Sequence, residues 1–246
     1  MIPLVQKTKA VLLVGGLGTR LRSVVPSLPK PLASVGDRPF LELLVRQLAN
    51  QGIRHLVMCT GYLAEQVEAV FGDGRDLGCT IVYSREEIPL GTAGALKCAQ
   101  HHLQHEREFL VLNGDSFLEI DFNDLFACHK NHNGLATMAV VPVQDGSRYG
   151  TVRLDANGRL LGFVEKAGEN IPGIINAGVY VFSSEVLAQI PGGQVSLERD
   201  VFPKLLHQGV YAVEQRGLFI DIGTPDDYER ARKTYSALVT VACCQN

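Results

Sequence analysis

Short apolar runs alternate with helical repeats along the first half of the chain. A short apolar run bounded by turn residues is typical of a buried strand, whereas apolar positions three and four residues apart form one face of a helix. The helical spacing is clearest at Phe40, Leu41, Leu44, Val45 and Leu48. The predicted strands are Lys9–Val14, His55–Thr60, Thr80–Ser84 and Phe109–Asn113. The predicted helices are Pro39–Gln51, Leu63–Phe71, Gly91–His102 and Asn123–Asn133. This alternation predicts a parallel sheet wound by right-handed crossovers.

The pattern changes after Leu135, where strand-like runs follow one another through turns such as Ala156-Asn157-Gly158. The predicted strands are Ala136–Val143, Thr151–Leu154, Leu160–Val164 and Ile174–Phe182. Beyond them the pattern predicts a helix at Leu197–Gln208, strands at Val210–Glu214 and Leu218–Ile220, and a final helix from Pro225 to about Leu238. We therefore expect an α/β fold with a mostly parallel, mixed sheet flanked by helices and an antiparallel extension that receives a second ligand.

No repeat or linker interrupts the chain, so we predict one domain over residues 1–246. Its parts are a first half at about 9–134, a second half at about 135–222, and a C-terminal helix and tail at 223–246.

The composition is that of an ordinary water-soluble protein, because 46% of the residues are hydrophobic and 20% are charged. A net charge of −3 provides no overall positive field, so we expect no nucleic-acid or membrane partner. No apolar run reaches the roughly 18 residues of a membrane span, and Met1–Ala10 lacks an apolar stretch of signal-peptide length. The six cysteines form no Cys-x-x-Cys pair, which favours reduced, mostly buried thiols in a cytoplasmic protein, with Cys243-Cys244 in a frayed tail.

A glycine-rich turn follows the first predicted strand and carries cationic residues. The residues concerned are Gly15, Gly16, Gly18, Thr19 and Arg20, with Lys30 between two prolines further on. Successive free N–H groups beside cationic side chains bind anions, and we expect a nucleoside triphosphate here, although a plain tight turn is the alternative. A dinucleotide fingerprint requires a third glycine where the chain has Leu21, and the Gly-Lys-Ser/Thr of a P-loop is absent.

Two aspartates, Asp115 and Asp221, each follow an apolar strand. Ligands of open α/β sheets bind beyond the carboxyl ends of the strands, and Mg²⁺ uses one or two carboxylates together with water and phosphate oxygens. The pair therefore predicts a magnesium site. The alternatives are a turn cap at Asp115 and a loop that leads from Asp221 into a helix capped at Thr224.

Other polar groups also lie at the ends of predicted strands. Glu165 and Lys166 are either a solvated surface pair or groups that bind a sugar hydroxyl and a second phosphate, with Asn176 near the same ligand. His101, His102 and His105 lack a carboxylate or cysteine that would complete a metal site, so we interpret them as a solvated helix end.

Seven motifs occur in order along the chain. They are Gly-Gly-Leu-Gly-Thr-Arg-Leu, Pro-Lys-Pro, Pro-Leu-Gly-Thr-Ala-Gly, Asn-Gly-Asp, Glu-Lys, Asn-Ala-Gly and Asp-Ile-Gly-Thr-Pro. The ordered set resembles the sugar-1-phosphate nucleotidyltransferases, or NDP-sugar pyrophosphorylases, from about Lys9 to Tyr228. Residues 30–31, 85–92 and 196–200 are most similar to the D-glycero-α-D-manno-heptose 1-phosphate guanylyltransferases. The chain stops where many relatives add a left-handed β-helix, so the functions of that domain are expected to be absent.

The resemblance implies a Rossmann-like fold of the nucleotide-diphospho-sugar transferase type. It also implies Mg²⁺-assisted, in-line attack of a sugar-1-phosphate on the α-phosphate of an NTP. The nucleotide residues that it implies are Gly15, Gly16, Gly18, Thr19, Arg20, Glu86, Gly91 and Thr92. The implied sugar-phosphate residues are Gly150, Glu165, Lys166 and Asn176. The implied catalytic residues are Arg20, Lys30, Asp115 and Lys166, and the implied Mg²⁺ ligands are Asp115 and Asp221.

The base is expected to be guanine, because the carboxylate of Glu86 can accept from both N1–H and the exocyclic amino group. Glu87 is the alternative reader of the base, and Val14 stands where the family commonly has alanine, either crowding the pocket or packing beneath it. Other candidate activities are mannose-1-phosphate guanylyl transfer, cytidylyl, uridylyl or thymidylyl transfer, and a non-catalytic nucleotide-sugar-binding subunit. The apolar segment Ala237-Leu238-Val239 suggests a homodimer.

Overall fold

A central parallel sheet occupies the first half of the computed structural model, which describes residues 8–146, 151–164 and 171–243. Strand β1 (Lys9–Leu13) lies between β4 (His55–Thr60) and β6 (Glu108–Asn113) and is parallel to both. Strand β5 (Thr80–Arg85) pairs in parallel with the outer side of β4. The strand order reverses at β1, and such a reversal point is where open α/β sheets bind ligands.

Helices cover both faces of this sheet, and alternate residues of β1 belong to two different cores. Ala10 and Leu12 lie in one hydrophobic cluster, and Val11 lies in the other. The helices of the first half are α1 (Phe40–Asn50), α2 (Ala64–Phe71), α3 (Gly91–Cys98) and α4 (Phe122–His132). Burial of both faces explains why β1 is a continuous apolar run.

The predicted helix Gly91–His102 is shorter than expected. Its α-helical part ends at Cys98, and residues Ala99–Leu103 form a 3₁₀ turn. The Cys98 carbonyl, which a continuing α-helix would pair with the N–H of residue 102, lies 3.2 Å from Nδ1 of His101.

The second half is joined to the first by strand pairing. Its strands are β8 (Ala136–Val143), β9 (Thr151–Leu154), β10 (Leu160–Val164), β11 (Gly173–Ser183) and β12 (Val210–Glu214). Strand β11 is antiparallel to β6, β8 and β9, so nine strands of the described residues belong to one sheet. Strand β12 pairs with β8 in parallel. The predicted mixed sheet flanked by helices is confirmed, and no β-helix occurs among the described residues.

Two small antiparallel pairs were not predicted. Strands β2 (Ser34–Val35) and β3 (Arg38–Pro39) form a hairpin shortly after Lys30. Strand β7 (Ser116–Leu118) pairs with β13 (Phe219–Asp221), which lies one residue later than the predicted Leu218–Ile220.

The predicted continuous helix Leu197–Gln208 is wrong. It consists of a π turn at Leu197–Val201, α6 (Phe202–Leu205) and a 3₁₀ turn at Leu206–Gln208, after a short unpredicted helix α5 (Val186–Gln189). Pro203 has no N–H to donate, so a regular α-helical ladder cannot pass through this segment.

The predicted single C-terminal helix is also wrong. Helices α7 (Pro225–Lys233) and α8 (Tyr235–Cys243) are separated at Thr234, whose hydroxyl donates to the Arg230 carbonyl at 2.9 Å. The Thr234 N–H still donates to the same carbonyl at 3.0 Å, so the break lies in the backbone angles of Thr234, φ −98° and ψ 12°. Helix α8 packs on α1, where Asn50 Nδ2 donates to the Ala242 carbonyl at 2.6 Å. Leu238 is fully buried in this contact and Val239 is half-buried, so only Ala237 of the apolar segment that suggested a dimer is exposed.

Cysteine burial differs from the prediction. Cys59 and Cys79 are buried free thiols, Cys98 is exposed, and Cys128 and Cys243 are half-buried, all without disulfides. Cys243 ends α8 and does not lie in a frayed tail, whereas Cys244 lies outside the described residues.

No helix among residues 8–146, 151–164 and 171–243 combines the length and apolar character that crossing a membrane requires.

Candidate active site

A cavity of about 420 Å³ opens beyond the carboxyl ends of β1 and β6. Its lining includes ten of the residues predicted for the site: Gly15, Gly16, Gly18, Thr19, Arg20, Lys30, Glu86, Gly91, Thr92 and Asp115. Asp221 and Asn176 lie outside this lining. Gly150, Glu165 and Lys166 fall outside the described residues, so their roles stay predictions.

The glycine-rich turn forms one wall of the cavity. Gly18 adopts a left-handed φ of 58°, and a Cβ on it would lie 2.9 Å from Cβ of Lys30. Within the described part of the chain, the N–H groups of residues 15–18 have no protein acceptor. Leu21, buried to 1% exposure, anchors the far end of the turn in the core. The turn therefore presents a row of unused donors beside two cations, which is the arrangement of an anion site.

Lys30 and the two aspartates form a charged cluster at the cavity edge. Lys30 Nζ lies 2.6 Å from Oδ2 of Asp115, and the lysine side chain is 9% exposed. The Ser116 hydroxyl lies 3.4 Å from Oδ1 of Asp115 and 3.2 Å from Oδ2 of Asp221. The β7–β13 pairing places Asp221 directly opposite Ser116, which explains why residues so distant in sequence meet here.

This carboxylate pair fits a divalent cation. Burial raises the pKa of the Asp221 carboxyl, and the negative charge of Asp115 raises it further. The positive charge of Lys30, which contacts Asp115, offsets only part of this repulsion. The described residues contain no cluster of three or more His, Cys, Asp or Glu side chains that could hold a metal. Two carboxylates without further protein ligands suit Mg²⁺, which keeps several waters and takes phosphate oxygens as its remaining ligands.

Glu86 lies in the floor of the cavity, between Gly15 of the glycine-rich turn and Gly61, which follows β4. Its Oε2 accepts from the Leu90 N–H at 2.9 Å, and a Cβ on Gly61 would lie 2.8 Å from its Oε1. Burial raises the pKa of the Glu86 carboxyl. Glu86 borders both the main cavity and an adjoining cavity of about 200 Å³, whereas Glu87 borders only the adjoining one. The choice between the two glutamates as reader of the base stays open.

The N-terminus of α3 is already occupied by protein acceptors. The N–H groups of Ala93 and Gly94 donate to the Val195 carbonyl at 3.0 and 3.2 Å. The Thr92 hydroxyl accepts from the Leu197 N–H at 2.8 Å and donates to Oε2 of Glu198 at 3.2 Å. Thr92 therefore borders the cavity while its hydroxyl binds within the protein.

Sequence reasoning missed several residues of the lining. Gln194 belongs to a Gly-Gly-Gln turn that follows no predicted strand, so its sequence carried no signal. Asn113 precedes Asp115 in the Asn-Gly-Asp motif, which was a usable signal, and its Oδ1 is buried without a partner among the described residues. Val14, which was noted in the sequence, also borders the cavity; it is 2% exposed, and its Cγ1 would lie 2.5 Å from a Cβ on Gly114.

The chain belongs to a known family of enzymes. The family model described as "Nucleotidyl transferase" matches residues 9–237. This match covers nearly the whole chain, and the predicted family is confirmed.

Its relatives include guanylyltransferases of two kinds. The chain is 40% identical to the D-glycero-α-D-manno-heptose 1-phosphate guanylyltransferase of Aneurinibacillus thermoaerophilus over 92% of this chain and 97% of that protein. It is also 40% identical to the mannose-1-phosphate guanylyltransferase of Mycobacterium tuberculosis over 90% of this chain, but spans 62% of that protein. The chain thus spans about three fifths of the mannose-1-phosphate guanylyltransferases that it matches.

A solved structure has the same fold. HddC of Yersinia pseudotuberculosis, complexed with GMP-PN, superposes with a TM-score of 0.83 at 32% identity, covering 93% of this chain and 99% of that one.

Proposed function

We propose that this protein is a sugar-1-phosphate guanylyltransferase that joins GTP to a sugar-1-phosphate, D-glycero-α-D-manno-heptose 1-phosphate being the favoured one, and releases pyrophosphate. The observation that carries the proposal is the row of unused N–H donors of residues 15–18 beside Arg20, Lys30 and Asp115 in one cavity. The heptose relative supports the sugar, because this chain covers nearly all of its length. We place the activity in the cytoplasm, where nucleoside triphosphates are supplied.

The glycine turn binds the triphosphate. Its N–H groups donate to phosphate oxygens without breaking any hydrogen bond among the described residues, so binding replaces water rather than protein partners. Arg20 Nη2 lies 3.6 Å from where a Cβ on Gly223 would sit, which brings its charge to the side of the cavity nearest Asp221. Arg20 and Lys30 then neutralise the charge that develops on the leaving pyrophosphate.

Asp115 and Asp221 would hold Mg²⁺. When bound, the cation offsets the repulsion between the two reacting phosphates and polarises the phosphate oxygens. Lys30, which contacts Asp115, borders the same cavity as the glycine turn, so its charge would lie within reach of the phosphates.

The reaction requires no protein nucleophile or strong base. The attacking sugar-1-phosphate oxygen is already anionic, so the protein positions it in line with the α-phosphorus and the P–O bond to pyrophosphate breaks. Gly150, Glu165, Lys166 and Asn176 are assigned to the sugar phosphate, and the half at about 135–222 is its binding half. Glu86 is assigned to the base, because its carboxylate is held at the floor by Leu90 and reaches both cavities.

The test is pyrophosphate release with Mg²⁺, each of GTP, CTP, UTP and dTTP, and heptose-1-phosphate or mannose-1-phosphate. Turnover is expected with GTP and heptose-1-phosphate and is expected to fall at least about 10²-fold in Asp115→Asn. Asp76→Asn, an exposed aspartate remote from the cavity, is the matched control and should retain activity.

Turnover with another base would discard the assignment of Glu86 while keeping the reaction class. A preference for mannose-1-phosphate would replace the sugar. Nucleotide binding without turnover for any pair would favour the non-catalytic subunit. The homodimer stays a prediction, and a monomer mass in light scattering would contradict it.

A further inference from the structure

A chain of side-chain hydrogen bonds connects β11 to the N-terminus of α3. Asn176 Nδ2 donates to the Tyr180 hydroxyl at 2.7 Å, and that hydroxyl donates to Oε1 of Glu198 at 3.4 Å. The other oxygen of Glu198 accepts from Thr92 at 3.2 Å and from Ser196 at 2.9 Å. One carboxylate therefore joins the proposed sugar-phosphate residue Asn176 to the proposed nucleotide residue Thr92.

Tyr180 is held rigidly at the centre of this chain. It is fully buried, and its ring centroid lies 5.7 Å from that of Phe182 and 5.3 Å from that of Phe202. Burial raises the pKa of the Tyr180 hydroxyl well above its ordinary value, so the group stays a neutral donor. A tyrosine hydroxyl has one hydrogen, and because Glu198 takes that hydrogen, the oxygen can only accept from Asn176.

This polarity fixes the orientation of the Asn176 amide. Its Oδ1 accepts from the Gly178 N–H at 2.9 Å, inside a bulge where the register of β11 against β8 shifts. One N–H of its amino group points to Tyr180, and the other has no acceptor among the described residues. Gly178 adopts a φ of 75°, and a Cβ on it would lie 2.6 Å from Nδ2 of Asn113, a residue of the cavity lining. The free N–H of Asn176 therefore belongs to a segment that borders the cavity wall.

We propose that Tyr180 and Glu198 are positioning residues, which orient the free N–H of Asn176 toward the sugar phosphate and tie it to Thr92 on the nucleotide side. This inference rests on the proposed function. Glu198 lies in the π turn at Leu197–Val201, an irregular conformation that is frequent at functional sites. Its carboxylate accepts three side-chain hydrogen bonds, so its role extends beyond capping one turn.

Substitution of Tyr180 and substitution of Glu198 should break different hydrogen bonds. Tyr180→Phe keeps the ring among its aromatic neighbours and removes only the hydroxyl, so Asn176 loses its orienting partner while Thr92 keeps its own. Glu198→Gln keeps the shape but replaces one acceptor oxygen by an amino group, which cannot accept from Thr92, Ser196 and Tyr180 together.

Steady-state kinetics on the whole protein tests the proposal. In Tyr180→Phe, the KM for sugar-1-phosphate should rise about tenfold, while the KM for GTP changes less than about twofold. In Glu198→Gln, both KM values should rise. Tyr211→Phe is the matched control, because it removes a hydroxyl from β12, outside the cavity lining, and should leave both KM values unchanged.

A purely structural role predicts a different pattern, in which the melting temperature falls and both KM values stay equal to those of the wild type. That result, with a normally active wild type, would overturn this inference alone. Absence of turnover in the wild type with every NTP would overturn the proposed function and this inference with it.

Discussion

The two sides of the cavity use their polar groups in opposite ways. On the side of the glycine turn, the N–H groups of residues 15–18 have no protein acceptor in the described part of the chain, and Lys30 has only Asp115. On the side of α3 and β11, the polar groups of Thr92, Glu198, Tyr180 and Asn176 are engaged with one another. One side leaves its polar groups open to the cavity, and the other joins its polar groups to one another. Substitutions on the first side should therefore affect binding and rate, whereas substitutions in the second half of the chain should also affect stability.

Loss of the Lys30 charge should produce the largest effect. In Lys30→Met the side chain keeps its length, but the cation that contacts Asp115 and borders the cavity is gone. We expect kcat/KM to fall about 10²- to 10³-fold, as for removal of one charge-stabilising donor. Steady-state pyrophosphate release measures it, and Lys130→Met, at an exposed position of α4, is the control. A loss below about threefold would contradict the direct role of this side of the cavity.

Acid pH should destabilise the contact between α4 and the strands of the second half, through His129. This residue is 2% exposed, with Nδ1 at 2.9 Å from the Thr137 hydroxyl and Nε2 at 3.2 Å from the Ser183 hydroxyl. Burial lowers the pKa of His129 to about 4, so the unfolded chain binds a proton more readily than the folded one. The free energy of unfolding should be undiminished above about pH 6.5 and should decrease as pH falls toward 4, by up to about 3 kcal/mol.

Urea denaturation of the wild type and His129→Gln at pH 7.5 and 4.5 measures this effect. The variant should lose most of the pH dependence that His129 causes, whereas His55→Gln, at an exposed position, should behave as the wild type does. Equal pH dependence in all three proteins would show that His129 does not carry the effect.

Two substitutions in the glycine-rich turn, Gly18→Ala and Gly16→Ala, test stability and nucleotide binding separately. Gly18→Ala places a Cβ at a left-handed φ and against Lys30, so unfolding should be easier by about 1–2 kcal/mol. A Cβ on Gly16 meets nothing within 4 Å, so Gly16→Ala should keep the melting temperature. If the turn binds phosphate, the methyl group added in Gly16→Ala should still raise the KM for GTP. Unchanged KM in Gly16→Ala would place the triphosphate elsewhere.

The sequence allowed the glycine turn and most helices and strands to be predicted because their signals are local. Each of these signals is contained in one short segment of the chain, as are the apolar run of β1, the helical spacing of α1 and the glycines after Val14. The contact between Thr92 and Glu198 joins residues 106 positions apart, and neither residue type indicates the other. The contact between Ser116 and Asp221 likewise depends on the pairing of β7 with β13, and strands of three residues do not indicate their partner in the sequence.

Helix interruptions were missed for a related reason. The break at Thr234 lies in its backbone angles, φ −98° and ψ 12°, and the residue type alone does not indicate them. Pro203 was visible in the sequence and was a usable signal against the single helix at Leu197–Gln208. The roles assigned to the site residues stay predictions.

The pairing of β11 with β6 also has a consequence for synthesis of the chain on the ribosome. Strand β6 ends at Asn113, but β11, which covers its outer edge, is complete only at Ser183. An unpaired strand edge is a template for association with other chains. Until translation passes β11, the first half exposes such an edge, so a fragment that ends near residue 134 is expected to aggregate rather than fold as an independent nucleotide-binding unit.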